Sequence, residues 1–195
     1  TVPHAQGVPS LKAMDRTGRV IQMGTFAKIA LPGIRVGFVI ADQRVADRPP
    51  RVLADALATL KSMVTVNTSP VCQAIAAGML LGSGGSLAAL GADRGAFYQG
   101  KLARLLAALQ RELGDLAAAH PGLRWNRPNG GFFVCMQLGI PVDAALLELS
   151  ARDYGVLWTP MRMFYVDDGG QHSLRLSCSY LTDAQIDDGV GRLRR

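Results

Sequence analysis

A lysine, a threonine and an arginine lie close together near the start of the sequence, and their residue types suit Schiff-base chemistry and phosphate binding. Lys28 follows an apolar run at residues 19–23, which we predict to be a buried strand. The lysine would then lie at the carboxyl edge of a sheet, where open α/β sheets bind ligands. Its apolar neighbours would favour a neutral amine, which Schiff-base chemistry requires. Thr25 and Arg35 supply a hydroxyl and a guanidinium, a plausible phosphate clamp.

The residue types around Lys28 also fit an ordinary solvated loop lysine, and on physical grounds alone that is the simpler interpretation. The elements that must position it are predicted as follows. Residues 19–23 and 36–41 are the last strands of a larger sheet, and a helix with 3.6-residue periodicity covers 47–63. Polar cap residues followed by Pro70 begin another helix, which the glycines of 82–85 end.

The second half of the chain has a pattern of its own. A long helix that ends before Pro121 carries leucines on one face: Leu102, Leu105, Leu106, Leu109, Leu113 and Leu116. We then predict a turn at 128–131, strands at 132–138 and 173–179, a helix at 142–154, and a last helix with a capping box at 182–185. The fold class is therefore α/β, with the end of a large domain at 1–99 and a small α+β domain at 100–195.

The composition favours a globular protein. Of the 195 residues, 49% are hydrophobic and 18% are charged. No apolar stretch is long enough to span a bilayer, and the first six residues lack the pattern of a signal peptide, so we expect a cytoplasmic protein. The net charge of +6 comes from scattered basic residues rather than one patch, which does not favour nucleic-acid binding. The arginines at 192–195 are interpreted as a solvated helix end.

The cysteines and histidines show no metal-binding pattern. Cys72, Cys135 and Cys178 are far apart in apolar contexts, which predicts buried free thiols. The three histidines, at 4, 120 and 172, have no metal-ligand spacing, and we assign no metal site.

Residues 24–37, GTFAKIALPGIRVG, resemble the cofactor-lysine signature of the fold-type I aminotransferases of class I/II, which reads approximately Ser-x-Ser-Lys-x-x-x-Pro-Gly-x-Arg-x-Gly. Thr25 and Ala27 replace the two serines, whereas the lysine, proline, arginine and both glycines match. The resemblance implies that Lys28 binds pyridoxal 5′-phosphate covalently and that Thr25 and Arg35 bind its phosphate. Ala27 lacks one hydroxyl that the signature would supply.

Two later segments agree with this resemblance. Residues 127–133, RPNGGFF, resemble the Pro-x-Gly-Gly-hydrophobic entry to a strand of the small domain, and 172–180 resemble the late Arg-Leu-Ser-Phe strand. The family's arginine on that strand binds the substrate α-carboxylate, so the resemblance gives this role to Arg175. A planar, two-pronged donor suits a carboxylate better than lysine does. The alternative is an ordinary strand-edge arginine.

A narrower resemblance concerns the substrate. Residues 24–28 and 60–70 are similar to the hydroxyphenylglycine and dihydroxyphenylglycine aminotransferases of peptide-antibiotic biosynthesis. The resemblance implies transfer of an amino group between an amino acid and a 2-oxo acid, with an arylglycine and arylglyoxylate as one candidate pair.

The resemblance also implies functional residues upstream of this chain. The family's phosphate loop, ring-stacking aromatic residue and pyridine-nitrogen aspartate all precede the cofactor lysine, and Asp15 does not have the expected context. We therefore expect a C-terminal half that needs a missing N-terminal half. Fold-type I enzymes generally have their active site at a dimer interface, so the resemblance also implies a homodimer for the intact protein. Three alternatives stay open: a non-transaminating pyridoxal-phosphate enzyme, the effector-binding domain of a transcription regulator, and a cofactor-free fragment without activity of its own. Phe132 is not assigned to the substrate pocket, and Trp158 and Tyr165 are interpreted as packing residues.

Overall fold

The computed structural model describes residues 9–46 and 49–195. The chain divides into two compact units, of which the first ends at Arg94 and the second is Gly95–Arg195. Their assignment to a large domain at 1–99 and a small domain at 100–195 stays a prediction. His4 and Asp47, which entered the sequence interpretation, lie outside the described residues.

The strands of the first unit form two short antiparallel pairs. Strand β1 (Gln22–Thr25) pairs with β2 (Gly37–Ile40), and β3 (Arg44–Val45) pairs with β4 (Arg51–Val52). Both predicted strands are present, but the first lies at 22–25 rather than 19–23. Its predicted burial is wrong, because the Met23 side chain is 76% exposed. The reason is that, within the part of the chain that is described, no third strand joins the β1–β2 pair.

The helices of the first unit are α1 (Leu11–Met14), α2 (Leu53–Thr65), α3 (Pro70–Gly82) and α4 (Leu87–Leu90). The predicted start of a helix at residue 47 is wrong, since α2 begins at Leu53. Pro49 and Pro50 are poor helix residues, and the next two residues pair with β3 as β4. The start of α3 is confirmed: Ser69 caps it by accepting the N–H of Cys72.

The second unit packs helices against a four-stranded antiparallel sheet with the order β5-β6-β8-β7. Helix α5 (Ala92–Ala119) begins three residues before the second unit, and the other elements lie within it: β5 (Arg124–Trp125), β6 (Phe133–Gln137), α6 (Ala144–Tyr154), β7 (Thr159–Pro160), β8 (Ser173–Ser177) and α7 (Asp183–Leu193). The long helix, both predicted strands and α6 are confirmed within a few residues. The capping box is also confirmed, with Thr182 and Gln185 as its two side chains.

Alternation along the two central strands decides which side chains enter the core. Val134 and Met136 of β6, like Leu174 and Leu176 of β8, are buried in one cluster with Leu102, Leu105, Leu109 and Leu113 of α5. Because successive residues of a strand point to opposite faces, Phe133 and Arg175 belong to the other face of the sheet. The unit therefore has one apolar face covered by helices and one face free to carry polar groups.

The three cysteines are free thiols, but only Cys178 is buried. Cys72 and Cys135 are half-buried, so the prediction of three buried thiols is right for one of them. Arg192 and Arg194 near the end of the chain are exposed, as predicted, and are also paired: Arg192 lies 2.9 Å from Asp188, and Arg194 2.8 Å from Asp115.

Candidate functional site

Lys28 lies in a tight turn directly after β1. The Phe26 N–H donates to the Val36 carbonyl at 2.9 Å, and the Ala30 N–H donates to the Phe26 carbonyl at 2.8 Å. Lys28 itself is exposed, although three of its neighbours are buried: Ala27, Ile29 and Ala30. Among the described residues the apolar neighbours do not desolvate this lysine, as the sequence prediction required, because those neighbours turn inward and the lysine turns outward.

The buried neighbours of Lys28 fasten its turn to a helix. Ala30, Ile34 and Val36 form a core cluster with Ala76 of α3, and half-buried residues complete it: Phe26, Cys72, Met79 and Leu90. A 3-10 helix at Pro32–Ile34 leads from the turn back to β2. The backbone on either side of Lys28 is thus held by packing, while its amine is free to react.

Thr25 is the last residue of β1, and its hydroxyl caps the turn. Its Oγ1 accepts the Ala27 N–H at 3.1 Å and donates to the Val36 carbonyl at 3.4 Å. The second distance is long for an O–H···O hydrogen bond, so this bond is weak. The hydroxyl proton can therefore turn to a stronger acceptor, such as a phosphate oxygen.

Arg35 has an unusual backbone conformation beside this turn. Its φ of 51° and ψ of 34° lie in the left-handed region, between the buried residues Ile34 and Val36. Because Thr25 pairs with Gly37, Arg35 lies two residues from the cross-strand partner of Thr25. None of the described residues gives Arg35 or Lys28 a hydrogen bond or ion pair, so both cations can meet an anion. The three residues thus belong to one β-hairpin: Thr25 ends β1, and Lys28 and Arg35 lie in the segment that connects β1 to β2.

Arg175 lies on the open face of the second unit's sheet. Its guanidinium carbon is 4.1 Å from the centroid of the Phe133 ring and 4.7 Å from that of Phe164. The Nε atom is enclosed and has no hydrogen-bond partner. No carboxylate of the described residues pairs with this arginine, which leaves its charge available for a ligand.

Phe133 and Phe164 are the site residues that sequence reasoning missed. Phe133 stands in the RPNGGFF segment, but its nearness to Arg175 depends on strand register, which periodicity does not give. The two aromatic residues that the sequence predicts to be packing residues, Trp158 and Tyr165, differ in burial. Trp158 is buried and donates its indole N–H to Ser150 Oγ at 3.1 Å, as a packing residue should. Tyr165, also interpreted as packing, is 47% exposed.

Asp15 has a local structural role. Its carboxylate accepts the N–H groups of Thr17 and Val20 at 3.0 and 2.8 Å. These backbone hydrogen bonds hold the pKa of Asp15 well below its ordinary range. Across the described ranges, no group of three side chains is placed to hold a metal ion, and no helix is long and apolar enough to cross a membrane.

Comparisons with known proteins agree with this architecture. A (S)-3,5-dihydroxyphenylglycine transaminase of Amycolatopsis orientalis is 49% identical over 189 residues, which cover 97% of this chain and 42% of that protein. The chain thus spans about two fifths of the length of the curated relatives it matches. Relatives named as HTH-type transcriptional regulators also match, at 28–32% identity.

Solved structures give the same fold. A multiple substrate aminotransferase from Thermococcus profundus superposes with a TM-score of 0.79 at 28% identity, over 97% of this chain and 43% of that one. The α-aminoadipate aminotransferase LysN of Thermus thermophilus, complexed with N-(5′-phosphopyridoxyl)-L-leucine, superposes with a TM-score of 0.69 at 29% identity. This match covers 89% of this chain and 40% of that one. The predicted fold class, the C-terminal part of a fold-type I transferase, is confirmed. The profile of the family "Aminotransferase class I and II" matches residues 3–193. The chain belongs to this family, whose cofactor is pyridoxal 5′-phosphate.

Proposed function

We propose that the full-length protein is an aminotransferase that moves an amino group between an amino acid and a 2-oxo acid. The observation that carries this proposal is the unpaired, exposed amine of Lys28 on a turn that is itself anchored to α3. Family membership makes pyridoxal 5′-phosphate the cofactor to test against these residues. When bound, it supplies an aldehyde and an electron-withdrawing ring.

Lys28 has the properties that covalent attachment to an aldehyde requires. Its amine is a nucleophile when deprotonated, and no described carboxylate competes for it. The rigid turn keeps its Cα in place, while the flexible stem lets the amine reach in more than one direction. We assign Lys28 two roles: it attaches the cofactor, and it then moves a proton at the substrate α-carbon as base and acid.

Thr25 and Arg35 fit a phosphate group. The threonine has a hydroxyl proton that is only weakly bound, and the arginine has a guanidinium without a partner among the described residues. Both types of donor form strong hydrogen bonds to phosphate oxygens, and the arginine also offers a full positive charge. We assign both residues to phosphate binding.

Arg175 fits a substrate carboxylate. Its side chain lies on the open face of the sheet, and its unpaired charge can be neutralised by a ligand. A guanidinium presents two parallel N–H donors to a carboxylate, which selects for planar anions. We assign Arg175 to recognition of the α-carboxylate that donor and acceptor share.

For the side chain of the substrate we propose an aromatic group, as in an arylglycine and arylglyoxylate pair. The support is the 49% identical relative, which is named for a dihydroxyphenylglycine. A place in antibiotic biosynthesis is proposed from the same resemblance, and a homodimer from the resemblance to fold-type I aminotransferases. The cytoplasmic location is expected from the composition of the sequence, and all three stay predictions.

The first experiment maps the cofactor attachment. The full-length protein is incubated with pyridoxal phosphate and reduced with borohydride, and its peptides are analysed by mass spectrometry. We expect the pyridoxyl group on Lys28, and none at that position in Lys28→Ala. Lys61→Ala is the matched control, because that lysine is also exposed in the first unit. A protein with no adduct on Lys28 would remove the basis of the proposal.

The second experiment follows the reaction. Phenylglycine, phenylalanine and glutamate are offered as donors to 2-oxoglutarate and phenylglyoxylate, and the products are separated by chromatography. A new amino acid together with the matching oxo acid is the expected result. Carbon dioxide or ammonia as the main product would instead indicate a decarboxylating or eliminating enzyme.

A second candidate function is the effector-binding domain of a transcription regulator, which the HTH-type relatives favour. In that case Lys28 would still bind the cofactor, but turnover would be absent. The full-length gene distinguishes the two: a helix-turn-helix region upstream and sequence-specific DNA binding would favour the regulator.

A further inference from the structure

We propose that Phe133 and Phe164 are positioning residues that hold the Arg175 guanidinium ready for a carboxylate; the two rings are called the Arg175 clamp below. The inference rests on the proposed function, in which Arg175 binds the substrate carboxylate. Burial does not explain either ring, because Phe133 is 39% exposed and Phe164 is 53% exposed. Both rings lie within the range at which a cation is attracted to an aromatic face.

The strand register accounts for the first contact of the clamp. Cys135 of β6 pairs directly with Arg175, and Phe133 pairs with Ser177. Phe133 is therefore the diagonal neighbour of Arg175 on the open face, a position that aromatic and long side chains reach across antiparallel strands.

The second contact comes from the opposite side of β8. Thr159 of β7 also pairs with Arg175, and a 3-10 helix at Met161–Phe164 follows that strand. Since β6 and β7 flank β8, one ring approaches Arg175 from β6 and the other from the 3-10 helix that follows β7. The guanidinium therefore lies between two elements rather than beside one.

An aromatic clamp leaves the hydrogen-bond donors of Arg175 free. Arg194, by contrast, donates from both of its Nη atoms to Asp115 at 2.8 Å, so its donors are used within the protein. A benzene ring attracts the positive charge but has no lone pair that would compete with a ligand. Because the Nε of Arg175 is enclosed, its two Nη groups are the donors left for a carboxylate.

The expected effect of the clamp is on binding. A free arginine side chain loses rotamer freedom when it binds a ligand, and a side chain that is already held loses less. Removal of a ring should therefore weaken carboxylate binding and leave the chemistry at Lys28 unchanged. A residue that only stabilised the fold would affect all substrates equally.

The test uses the full-length holoenzyme and the variants Phe133→Leu and Phe164→Leu. The substrates are the best amino acid donor from the assay above and the amine that lacks its carboxyl group, such as phenylglycine and benzylamine. For each variant we expect the KM of the amino acid to rise about 2–5-fold, with kcat nearly unchanged. The kcat/KM for the amine should stay at the wild-type value.

Three further variants separate the clamp from general packing. Phe133→Tyr keeps the aromatic face, so its KM for the amino acid should equal that of the wild-type enzyme. Pentafluorophenylalanine at position 133 keeps the shape but withdraws electrons from the ring face, so it should raise the KM even if the leucine variant fails to fold. Phe97→Leu is the matched control, because Phe97 is an exposed phenylalanine of the same unit that contacts Lys101 instead.

The outcomes distinguish the two proposals. If the wild-type enzyme transaminates but the variants keep its KM for the amino acid, the role of the clamp is wrong and the proposed function stands. The same holds if the activities of a variant toward the amine and the amino acid fall together. A wild-type enzyme without any transamination would overturn the proposed function, and with it the role of the clamp.

Discussion

The ring of Phe38 lies over Gly24, its cross-strand partner, in the space that a Cβ atom of residue 24 would occupy. The same ring is 5.6 Å from that of Phe26, which packs against the core of the first unit. Gly24 thus lets an aromatic side chain cover the strand that ends at Thr25. Packing of the Phe38 ring therefore explains why a glycine occupies position 24 in this fold.

Gly24→Ala should therefore disturb the hairpin that carries Thr25. The added methyl group must displace the Phe38 ring, and such overpacking costs about 1–3 kcal/mol. Chemical unfolding of the full-length protein measures this loss. Gly78→Ala is the control, because a Cβ at that exposed position of α3 meets no atom within 4 Å and alanine favours a helix. Equal stability of the two variants would contradict the packing role of Gly24.

The variant Arg35→Gly removes the guanidinium without straining the backbone, so it should change cofactor affinity but not the stability of the fold. Loss of the guanidinium should weaken pyridoxal-phosphate binding about tenfold or more, since hydrogen bonds to charged groups are the strong ones. The fold should not be weakened, because glycine adopts a φ of 51° without cost. Cofactor titration by absorbance and chemical unfolding measure the two effects.

Arg35→Val provides the contrast. It should lose as much cofactor affinity and should also be less stable, because a β-branched residue is strained at positive φ. Wild-type cofactor affinity in Arg35→Gly would show that this arginine does not bind the phosphate.

Val66→Gly should stabilise the protein by about 1 kcal/mol. Val66 has a φ of 56° and a ψ of −67°, and the Asn67 N–H donates to the Thr65 carbonyl at 2.6 Å, which is a strained γ-turn. Val64→Gly is the matched control, since this equally exposed valine lies inside α2, where glycine is less favourable than valine by about 0.3–0.5 kcal/mol. Differential scanning calorimetry should give shifts of opposite sign, and a destabilised Val66→Gly would contradict the strain.

Asp115 should make stability depend on pH in the acidic range. Hydrogen bonds from Arg194 hold the pKa of Asp115 at about 2, below its ordinary value of 3.8. Since the folded state has the lower pKa, the contribution is present above pH 3.8 and is lost as the pH falls through about 2.

Asp115→Asn should therefore lower the midpoint of thermal unfolding at neutral pH by a small amount, because the pair is exposed. The difference from wild type should disappear near pH 2. The double variant Asp115→Asn/Arg194→Gln should show the same pH dependence as Asp115→Asn, although it also loses the hydrogen bond from Arg194 to the Glu112 carbonyl. A difference between wild type and Asp115→Asn that grows in acid would contradict the assignment.

Local signals in the sequence determined the start of α3 in the first unit and most elements of the second unit. Ser69 with Pro70, and Thr182 with Gln185, mark helix starts because the groups that cap a helix lie within one turn of its end. The leucine spacing of α5 fixed its buried face for a similar reason, since residues three and four apart lie on one side of a helix. The lysine and arginine segments carried the family resemblance, and the family is confirmed.

Tertiary structure alone decided what surrounds those functional residues. The exposure of Lys28, the left-handed backbone of Arg35 and the rings beside Arg175 depend on how strands pair and which side chains turn inward. Phe133 and Arg175 are 42 residues apart in sequence but become diagonal neighbours through one antiparallel register. A pattern with a period of two says that a residue faces one side of a sheet; it does not say which residue of another strand lies beside it, because register is set by long-range packing.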